Sequence, residues 1–341
     1  MIGRKMTLMA SSVVFVVLTA TTGLCEPTDT TRYEPKTVHV FYENVIHFSP
    51  DDSSAYATPL VTAQDNGRVI VRKLKIDKPE GPVAVVAHLR LRPIPKDERT
   101  MYDRWDRAGN VRLSSPGGPD IEVVKFITAY GGETSYEIDI THLVSRLNGW
   151  CTFKGFVDTW VSPAWKMDFS IEFRPVPDPD APAWVEGVLY EESVSEESLR
   201  DGPKTVDVTI PEGMSRVVMH YLSTGHCTDG RGADEFQSKD NVIWVGGKEV
   251  YRFKPWRDDC LRFRTINPYC ARWADGSWSS DYSRSGWCPG DEVLPVAIDL
   301  TDILTPGRHT IGFAIENVRP RGEDNHLGYW RVSSHLLGWK E

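Results

Sequence analysis

The chain has 341 residues, a formal net charge of −9, 40% hydrophobic residues and 26% charged residues. One hydrophobic core stops growing at roughly 250–300 residues, so this length predicts two domains, each with its own core. The acidic balance, with no long basic run, excludes a nucleic-acid binder that depends on neutralising phosphates. The 12 Trp residues indicate large cores or aromatic binding surfaces.

The N-terminus has the pattern of an export signal. Arg4 and Lys5 form a positively charged start, and an apolar stretch follows at 8–18. This pattern predicts a signal peptide over residues 1–25 and therefore a secreted or periplasmic protein. The apolar stretch is shorter than the ~20 residues of a spanning helix, which argues against stable membrane insertion. Leu24 argues against a lipoprotein, because a small residue should precede the lipidated Cys.

The rest of the chain shows the period-two alternation of half-buried β-strands. Apolar and polar residues alternate through 83–92 and again through 166–174. Shorter β-rich runs at 206–210, 242–245 and 310–315 are broken by Gly, Pro and Asp clusters, and long helical periodicity is absent. Many short strands between turn-rich connections predict an all-β protein built from sandwiches, of which the jelly roll is a common form.

A proline-rich segment divides the chain. The repeated prolines of 175–183 cannot pair in a sheet interior and favour a stiff, extended linker. We therefore predict an N-terminal domain at 37–174, this linker, and a C-terminal domain at 184–339. The similar stretches 137–141 and 297–301 are each followed by a Leu/Ile turn, a Gly and a β-rich run, which favours two domains of one topology.

The cysteines do not all pair within one chain. Removal of a signal peptide that ends at residue 25 leaves an odd number, so at least one thiol stays unpaired or pairs elsewhere. The five are Cys151, Cys227, Cys260, Cys270 and Cys288. Cys227 with Cys260 is one possible pair, and Cys151, in an apolar run, is predicted to be a buried reduced thiol.

Three segments carry most of the chemical information: 103–111, 225–236 and 284–290. Each places an acid or an arginine beside an aromatic residue. A Trp face can stack on the apolar face of a pyranose while carboxylates and guanidinium groups bind its hydroxyls. The segments therefore predict a site that grips a sugar and hydrolyses a bond next to it.

In order and spacing these segments resemble the peptide N-glycosidase F family, amidases that remove asparagine-linked glycans. The resemblance covers most of the mature chain and is strongest in Trp105-Asp106-Arg107, followed by Asn110-Val111, and in the Gly-Trp-Cys-Pro-Gly run at 286–290. It implies two eight-stranded jelly-roll domains packed side by side, and N-glycosylated proteins and glycopeptides as partners. It also implies a disulfide between Cys270 and Cys288 that closes an active-site loop.

Asp106 and Glu235 are the predicted catalytic residues. Hydrolysis of the amide between asparagine and N-acetylglucosamine needs an activated water, a stabilised oxyanion and a protonated glycosylamine nitrogen. The resemblance gives Asp106 the place of the principal catalytic Asp, and Glu235 that of a second carboxylate from the other domain. A structural ion pair with Arg107 is the alternative for Asp106. The cysteines that flank this Glu in the family are missing here, which leaves open whether Asp234 or Glu235 points inward.

The resemblance also implies substrate-binding residues. They are Arg107, Asp158, Trp160, His226, Arg284 and Trp287. Asp158 stands where the family has Glu, and the shorter side chain retracts the carboxylate by about one ångström, which weakens a direct contact more than one through water. Thr224 replaces the Trp that normally precedes the family's Gly-His pair. From the residues alone, Trp160 in an alternating strand favours the core, and Trp287 can instead pack against the disulfide.

The sequence carries no local metal-binding motif, and we expect neither a metal nor another cofactor. Its nine His are scattered, without His-x-His or His-Glu-x-x-His spacing, and no Cys-x-x-Cys is present. One alternative to an amidase is a catalytically inactive glycan-binding or adhesion protein on the same scaffold. Another is a copper-dependent peptidylglycine-type monooxygenase, for which His220 and His226 with Met219 are the only local approximation. We expect a monomer.

Overall fold

The computed structural model describes residues 34–227, 234–323 and 325–340, and the predicted signal peptide at 1–25 lies outside these ranges. The strands are β1 Lys36–Ile46, β2 Thr62–Gln64, β3 Val69–Ile76, β4 Val83–Pro93, β5 Pro95–Asp97, β6 Thr100–Met101, β7 Ala108–Leu113, β8 Ile121–Ile127, β9 Thr134–Asp139, β10 Gly149–Val157, β11 Trp165–Pro175, β12 Trp184–Val194, β13 Lys204–Ile210, β14 Arg216–Cys227, β15 Asn241–Val245, β16 Lys248–Phe253, β17 Glu292–Val293, β18 Val296–Asp299, β19 Gly307–Ile315 and β20 Gly328–Trp339. Short 3₁₀ helices cover Asp65–Gly67, Thr141–Arg146, Glu197–Leu199, Cys260–Ile266 and Ser279–Asp281. Among the described residues, no helix has the length and apolar character that crossing a bilayer requires.

The strands form two jelly-roll sandwiches that pack side by side. In the first, the sheet β1-β11-β4-β9 faces the sheet β17-β8-β7-β10-β3-β2. In the second, β12-β20-β14-β18 faces β13-β19-β15-β16. Neighbouring strands are antiparallel, and the inward side chains of each pair of sheets form one apolar core. The all-β fold class predicted from the sequence is confirmed.

The alternating segments of the sequence lie in strands. Residues 83–92 lie within β4 and residues 166–174 within β11, and these two strands pair along their full lengths. The apolar half of β11 is buried in the first core, as the alternation predicts. The shorter runs at 206–210, 242–245 and 310–315 lie within β13, β15 and β19.

The two sandwiches repeat one turn, which explains the internal similarity of the sequence. β9 ends at Asp139, whose Oδ1 accepts a hydrogen bond from the Thr141 N–H at 2.8 Å, and β18 ends at Asp299, whose Oδ1 accepts from the Thr301 N–H at 2.9 Å. Each Thr hydroxyl also accepts a backbone N–H, from β4 at 2.9 Å in one case and from β14 at 3.1 Å in the other. These Asp side chains stop the strand and start the turn.

The two sandwiches share contacts at their boundary. β11 ends at Pro175 and β12 begins at Trp184, and the role of the segment between them as the domain boundary stays a prediction. β17 lies in the second half of the chain but pairs with β8 of the first sandwich. A small apolar cluster joins both halves, formed by Ile127, Leu222, Trp287 and Val293. Side chains from both sandwiches can therefore meet in one site.

The disulfide joins Cys260 to Cys288, with Cα atoms 5.1 Å apart. The implied pair Cys270–Cys288 is therefore wrong. The backbone gives the reason, because Arg257 and Arg284 exchange N–H···O hydrogen bonds of 2.8 and 2.9 Å. This antiparallel bridge sets the chain that enters Cys260 alongside the chain that enters Cys288. The bridge still fastens the loop that follows Arg284.

The remaining thiol predictions divide. The possible pair Cys227–Cys260 is wrong, since Cys260 is bonded to Cys288. Cys270 is buried and reduced, and its sulfur accepts a hydrogen bond from the Ser280 hydroxyl at 3.3 Å. Cys151 is also a buried reduced thiol, which confirms that prediction.

Candidate active site

Two carboxylates and one guanidinium meet between the sandwiches. Arg284 Nε lies 3.1 Å from Glu235 Oε1, and Arg284 Nη2 lies 3.8 Å from Asp106 Oδ2. Asp106 belongs to the first sandwich and the other two residues to the second. The Arg284 side chain is only 1% exposed, and the carboxylates retain 14% and 18%. A buried cation needs partners of opposite charge, so the three groups hold one another in place.

Asp103 builds the turn that presents Asp106. Its buried carboxylate accepts hydrogen bonds from the Trp105 N–H at 3.2 Å and from the Thr159 hydroxyl at 2.6 Å. It also forms an ion pair with Arg107, whose Nε lies 3.0 Å from Asp103 Oδ2. Arg107 therefore pairs with Asp103 and not with Asp106, which leaves the Asp106 carboxylate to Arg284.

The environment of Asp106 raises the pKa of its carboxyl to about 7. Burial is the largest cause, because removal from water disfavours the charged form. The Glu235 charge raises the pKa further, while the Arg284 charge and a hydrogen bond from Tyr130 oppose the shift. Near neutral pH both protonation states of Asp106 are therefore populated, which suits a group that must accept and donate a proton.

Tyr130 is a site residue that the sequence did not indicate. Its hydroxyl lies 3.5 Å from Arg284 Nη2, and burial together with the nearby Asp106 charge raises the pKa of its phenol. The Tyr130 backbone is fixed by its N–H, which donates to Asn267 Oδ1 at 2.8 Å. Tyr130 lies in an apolar run between β8 and β9, where an aromatic residue has the pattern of a core position, so no local signal marked it.

Asp234 and Glu235 point to different sides. Asp234 is fully buried, its Oδ1 lies 2.5 Å from Lys239 Nζ and 3.2 Å from Trp330 Nε1, and its Oδ2 accepts the Arg319 N–H at 3.0 Å. Glu235 turns to Arg284 with Oε1. Of these two acids, Glu235 is the one that shares a guanidinium with the candidate catalytic Asp.

Arg284 is fixed by backbone and ring contacts. Its Nη2 donates to the Ser279 carbonyl at 2.8 Å, and its Nη1 donates to the Tyr282 carbonyl at 3.1 Å. The guanidinium carbon lies 4.8 Å from the Phe236 ring centroid and 4.7 Å from that of Trp287. A guanidinium held between two aromatic rings has little freedom to rotate, so its N–H donors keep one direction.

Trp287 and His226 support the site from behind. The Trp287 ring is 3% exposed, and its Nε1 donates to the Gly225 carbonyl at 2.9 Å. The His226 ring lies between Trp287 and Tyr329, with centroid distances of 5.6 and 5.4 Å, and its Nε2 lies 2.8 Å from the Thr224 hydroxyl. Burial lowers the pKa of His226 well below its usual value. Stacking of substrate on these rings is not supported, because neither ring faces solvent. Trp287 packs in the apolar cluster with Ile127, Leu222 and Val293.

Two motif glycines are needed for packing within the protein. A Cβ at Gly225 would lie 2.3 Å from the Asp234 carbonyl oxygen. Gly286 has a φ of +84°, and a Cβ there would lie 2.3 Å from the Ser223 carbonyl oxygen. Both glycines let the strand and loops that carry Glu235 and Arg284 approach closely.

Asp158 and Trp160 follow β10, and Asp158 bridges the two sandwiches through Arg331 of β20. Asp158 pairs with Arg68 at 3.1 Å and with Arg331 at 2.5 Å. Trp160 is 55% exposed, and the Arg68 guanidinium lies over its ring at 4.6 Å. The expectation that Trp160 packs in the core is wrong, because β10 ends at Val157 and the ring lies beyond the sheet.

Exposed aromatic rings flank the acid–arginine cluster. Trp105 is 51% exposed, Tyr282 38% and Phe236 36%. Trp105 immediately precedes Asp106, and its ring packs edge-on against Tyr130 at 6.4 Å. An exposed indole beside a carboxylate of shifted pKa offers an apolar face for a sugar ring next to a proton-transfer group.

The histidines of the rival copper hypothesis do not come together. Met219 is buried in the second core, and His220, its neighbour in β14, points to the opposite face of the sheet. His226 lies between aromatic rings, as described above. His142, His220 and His335 are far apart in the sequence, but they form a group in space whose candidate ligand atoms all lie within 4.8 Å of one another.

We compared the chain with known protein families and solved structures. Residues 195–337 match the family model described as peptide-N-glycosidase F, C terminal. The structure resembles that of PNGF-II with a TM-score of 0.77 and 24% identity, over 90% of this chain and 65% of that one. This chain thus spans about two thirds of the length of PNGF-II.

Two further solved structures match over nearly their whole length. One is PNGase F, described as a glycosylasparaginase from Flavobacterium meningosepticum, with a TM-score of 0.69, 19% identity, and coverage of 90% of this chain and 96% of that one. The other is a peptide-N(4)-(N-acetyl-β-D-glucosaminyl) asparagine amidase, with a TM-score of 0.66, 18% identity, and coverage of 89% and 96%. Comparison with curated protein sequences finds no significant match.

Proposed function

We propose that this chain is a peptide-N-glycosidase, because residues 195–337 match the family model described as peptide-N-glycosidase F, C terminal. The reaction is hydrolysis of the amide bond between asparagine and the innermost N-acetylglucosamine of N-glycoproteins and glycopeptides, which leaves Asp in the peptide and releases a glycosylamine. The observation that carries the proposal is the position of Asp106 and Glu235 at the two nitrogens of one buried guanidinium, with exposed aromatic rings beside them.

In the proposed reaction, Asp106 transfers the proton. Its ionised form accepts a proton from the attacking water, the water oxygen bonds to the amide carbon, and the same carboxyl then protonates the glycosylamine nitrogen as the C–N bond breaks. A pKa of about 7 allows one carboxyl to do both near neutral pH. Protonation of the leaving nitrogen is essential, since an amide anion is a poor leaving group.

Arg284 and Glu235 stabilise the charge that develops in this step. Arg284 is buried with its Nη2 3.8 Å from Asp106, so its positive charge lies close to the site of reaction without a direct hydrogen bond to substrate. As the carbonyl oxygen becomes an oxyanion, a fixed guanidinium stabilises it more than it stabilises the neutral amide. Glu235 holds Arg284 through Nε and adds a negative charge that keeps the Asp106 pKa high.

The exposed Trp105 supplies the sugar-binding surface in this proposal. Its indole precedes the catalytic carboxylate by one residue, so a pyranose stacked on it would place its anomeric nitrogen near Asp106. We assign Asp158 and Trp160 a role in glycan binding, because Asp158 joins Arg68 to Arg331 across the two sandwiches and Trp160 exposes its ring beside Arg68.

Export and monomeric action complete the proposal. The sequence pattern of residues 1–25 supports a signal peptide, and N-glycoproteins are extracellular substrates that a secreted or periplasmic amidase could meet. Each reacting group named above is a side chain of one chain, so a single copy is sufficient for catalysis.

The test is digestion of a defined N-glycopeptide in water enriched in ¹⁸O. An amidase converts the glycosylated Asn to Asp with ¹⁸O in the new carboxyl group, and mass spectrometry of the peptide detects it. An intact glycopeptide that nevertheless binds the protein would instead support the non-catalytic glycan-binding alternative.

A further inference from the structure

Three imidazoles meet on the outer face of the second sandwich, apart from the acid–arginine cluster. His220 in β14 and His335 in β20 lie directly opposite each other in the strand register, so their side chains share one face of the sheet. His142 reaches this face from the 3₁₀ helix Thr141–Arg146 of the first sandwich. The ring centroid of His142 lies 4.7 Å from that of His220 and 5.5 Å from that of His335. The ring centroids of His220 and His335 are 5.1 Å apart.

Two nitrogens of this group are buried without a hydrogen-bond partner. They are Nδ1 of His220 and Nε2 of His335, and the His335 side chain is only 2% exposed. Buried polar atoms normally have partners, since an unpaired donor or acceptor loses its hydration with nothing in return. Two orphaned nitrogens next to a third imidazole are what an unfilled ligand set leaves behind.

The surroundings keep the imidazoles neutral. The charged groups that face the adjoining cavity are Asp139, Asp178, Asp180 and Arg216. Arg216 is engaged by Asp180 at 2.9 Å, and Asp139, whose charge raises the pKa of His142, accepts the Thr141 N–H. Within the described residues, none of these carboxylates forms an ion pair with the three imidazoles. Burial, as the main cause, lowers the pKa of His142 to about 3 and that of His220 to about 4. Neutral imidazole is the form that binds a metal.

The group has access to solvent on one side. A cavity of about 580 Å³ adjoins it, with His142, His220 and Leu337 in its wall. Water can therefore enter and supply a fourth ligand, as in sites where three protein ligands leave one position open.

We propose that His142, His220 and His335 form a binding site for a divalent transition-metal ion of the Zn²⁺ type, which ties the two sandwiches together. Zn–N bonds of about 2.0 Å in a tetrahedral site place the nitrogens about 3.4 Å apart. The candidate ligand atoms lie within 4.8 Å of one another, so modest rotations of the rings complete the geometry. Two ligands come from the second sandwich and one from the first, so a bound ion stabilises the packed pair. This site does not depend on the proposed amidase activity.

Titration of the metal-stripped chain with Co²⁺ and Zn²⁺ tests the site. Tetrahedral Co²⁺ gives visible absorption bands, which Zn²⁺ should abolish at one equivalent per chain. The melting temperature should rise as Zn²⁺ is added, because an ion that binds only the folded form stabilises it by mass action. If wild type shows neither the Co²⁺ bands nor a rise in melting temperature at millimolar metal, the proposal is overturned.

Two substitutions locate the site. His142 lies at the edge of the group, so His142→Ala should weaken Zn²⁺ binding at least tenfold. Circular dichroism should show that this variant stays folded. His309→Ala is the matched control, since His309 lies in β19 and contacts the Thr305 carbonyl. Equal Zn²⁺ affinity in His142→Ala and in wild type, or a loss in His309→Ala instead, would contradict the assignment.

Discussion

Asp234 and Glu235 are consecutive in the chain, yet one carboxylate is fully buried beside Lys239 and the other faces Arg284. The backbone of Asp234 has a φ of +69°, a left-handed conformation that turns the chain at this point. The second sandwich thus uses one acid to fix the loop and the next to complete the candidate site. The two substitutions that neutralise these acids should therefore have different effects.

Glu235→Gln should lower kcat by about 10²-fold, because it removes the charge that holds Arg284. Its cost in stability should be the smaller of the two, since the buried Arg284 keeps Asp106 and two backbone carbonyls as partners. Asp234→Asn should lower the free energy of unfolding by about 3 kcal/mol, since it leaves the buried Lys239 without its charged partner. Glycopeptide turnover and urea unfolding measure the two effects. If folded Asp234→Asn loses more kcat than Glu235→Gln, the catalytic role belongs to Asp234 and our assignment to Glu235 is wrong.

The raised pKa of Asp106 makes stability depend on pH. The pKa is about 7 in the folded protein and near 3.8 in the unfolded chain, so the contribution of this group is fully present below pH 3.8 and is lost as the pH rises to 7. Asp106→Asn removes this loss and should make the protein more stable by ~2 kcal/mol at pH 8, allowing for the weaker attraction to Arg284. At pH 4 the difference should nearly vanish. Thermal unfolding of both proteins at pH 4 and pH 8 measures this difference in stability. A variant whose stability relative to wild type is lower at pH 8 than at pH 4 contradicts the prediction.

The exposed Trp105 should act on substrate binding alone. Trp105→Ala should raise KM for a glycopeptide about fivefold, since loss of one aromatic–sugar stack is worth about 1 kcal/mol. Trp150 is the matched control, because it is 69% exposed on β10, where its ring contacts Lys73. Trp150→Ala should leave KM unchanged, and steady-state kinetics of both variants separates a sugar platform from a general effect of removing a surface Trp.

The disulfide predicts that removal of Cys260 and Cys288 affects stability more than removal of Cys270. Cys260→Ser combined with Cys288→Ser should lower the free energy of unfolding by ~3 kcal/mol, as expected for closure of a 28-residue separation. Cys270→Ser should change it little, since that thiol accepts a single hydrogen bond. Peptide mapping without reductant should recover a Cys260–Cys288 peptide. Recovery of a Cys270–Cys288 peptide would restore the pairing that the family resemblance implied.

The sequence predicted the fold through patterns that are local. Alternation over 166–174 is a property of one strand, and the repeated Asp-x-Thr turns after β9 and β18 are short enough to be read directly. The pairing of Cys288 was not local, because it depends on the Arg257–Arg284 backbone bridge, which joins segments far apart in the chain.

The site residues divide in the same way. Asp106, Glu235 and Arg284 lie in motifs, and the fold brings them together. Tyr130 and the His142 group were missed, since their neighbours in sequence are not their neighbours in space. Whether a motif aromatic faces substrate or core was also beyond the sequence, because Trp287 is buried while Trp105 in the same kind of motif is exposed.

The most direct test of the central claim compares wild type with Asp106→Asn on one N-glycopeptide. Turnover is measured by the mass change of Asn to Asp, and binding by fluorescence quenching of the protein's Trp residues. Asn keeps the size of the side chain but cannot take a proton from water, so binding should persist while turnover falls by about 10³-fold or more. Turnover of Asp106→Asn within a few-fold of wild type would contradict the account.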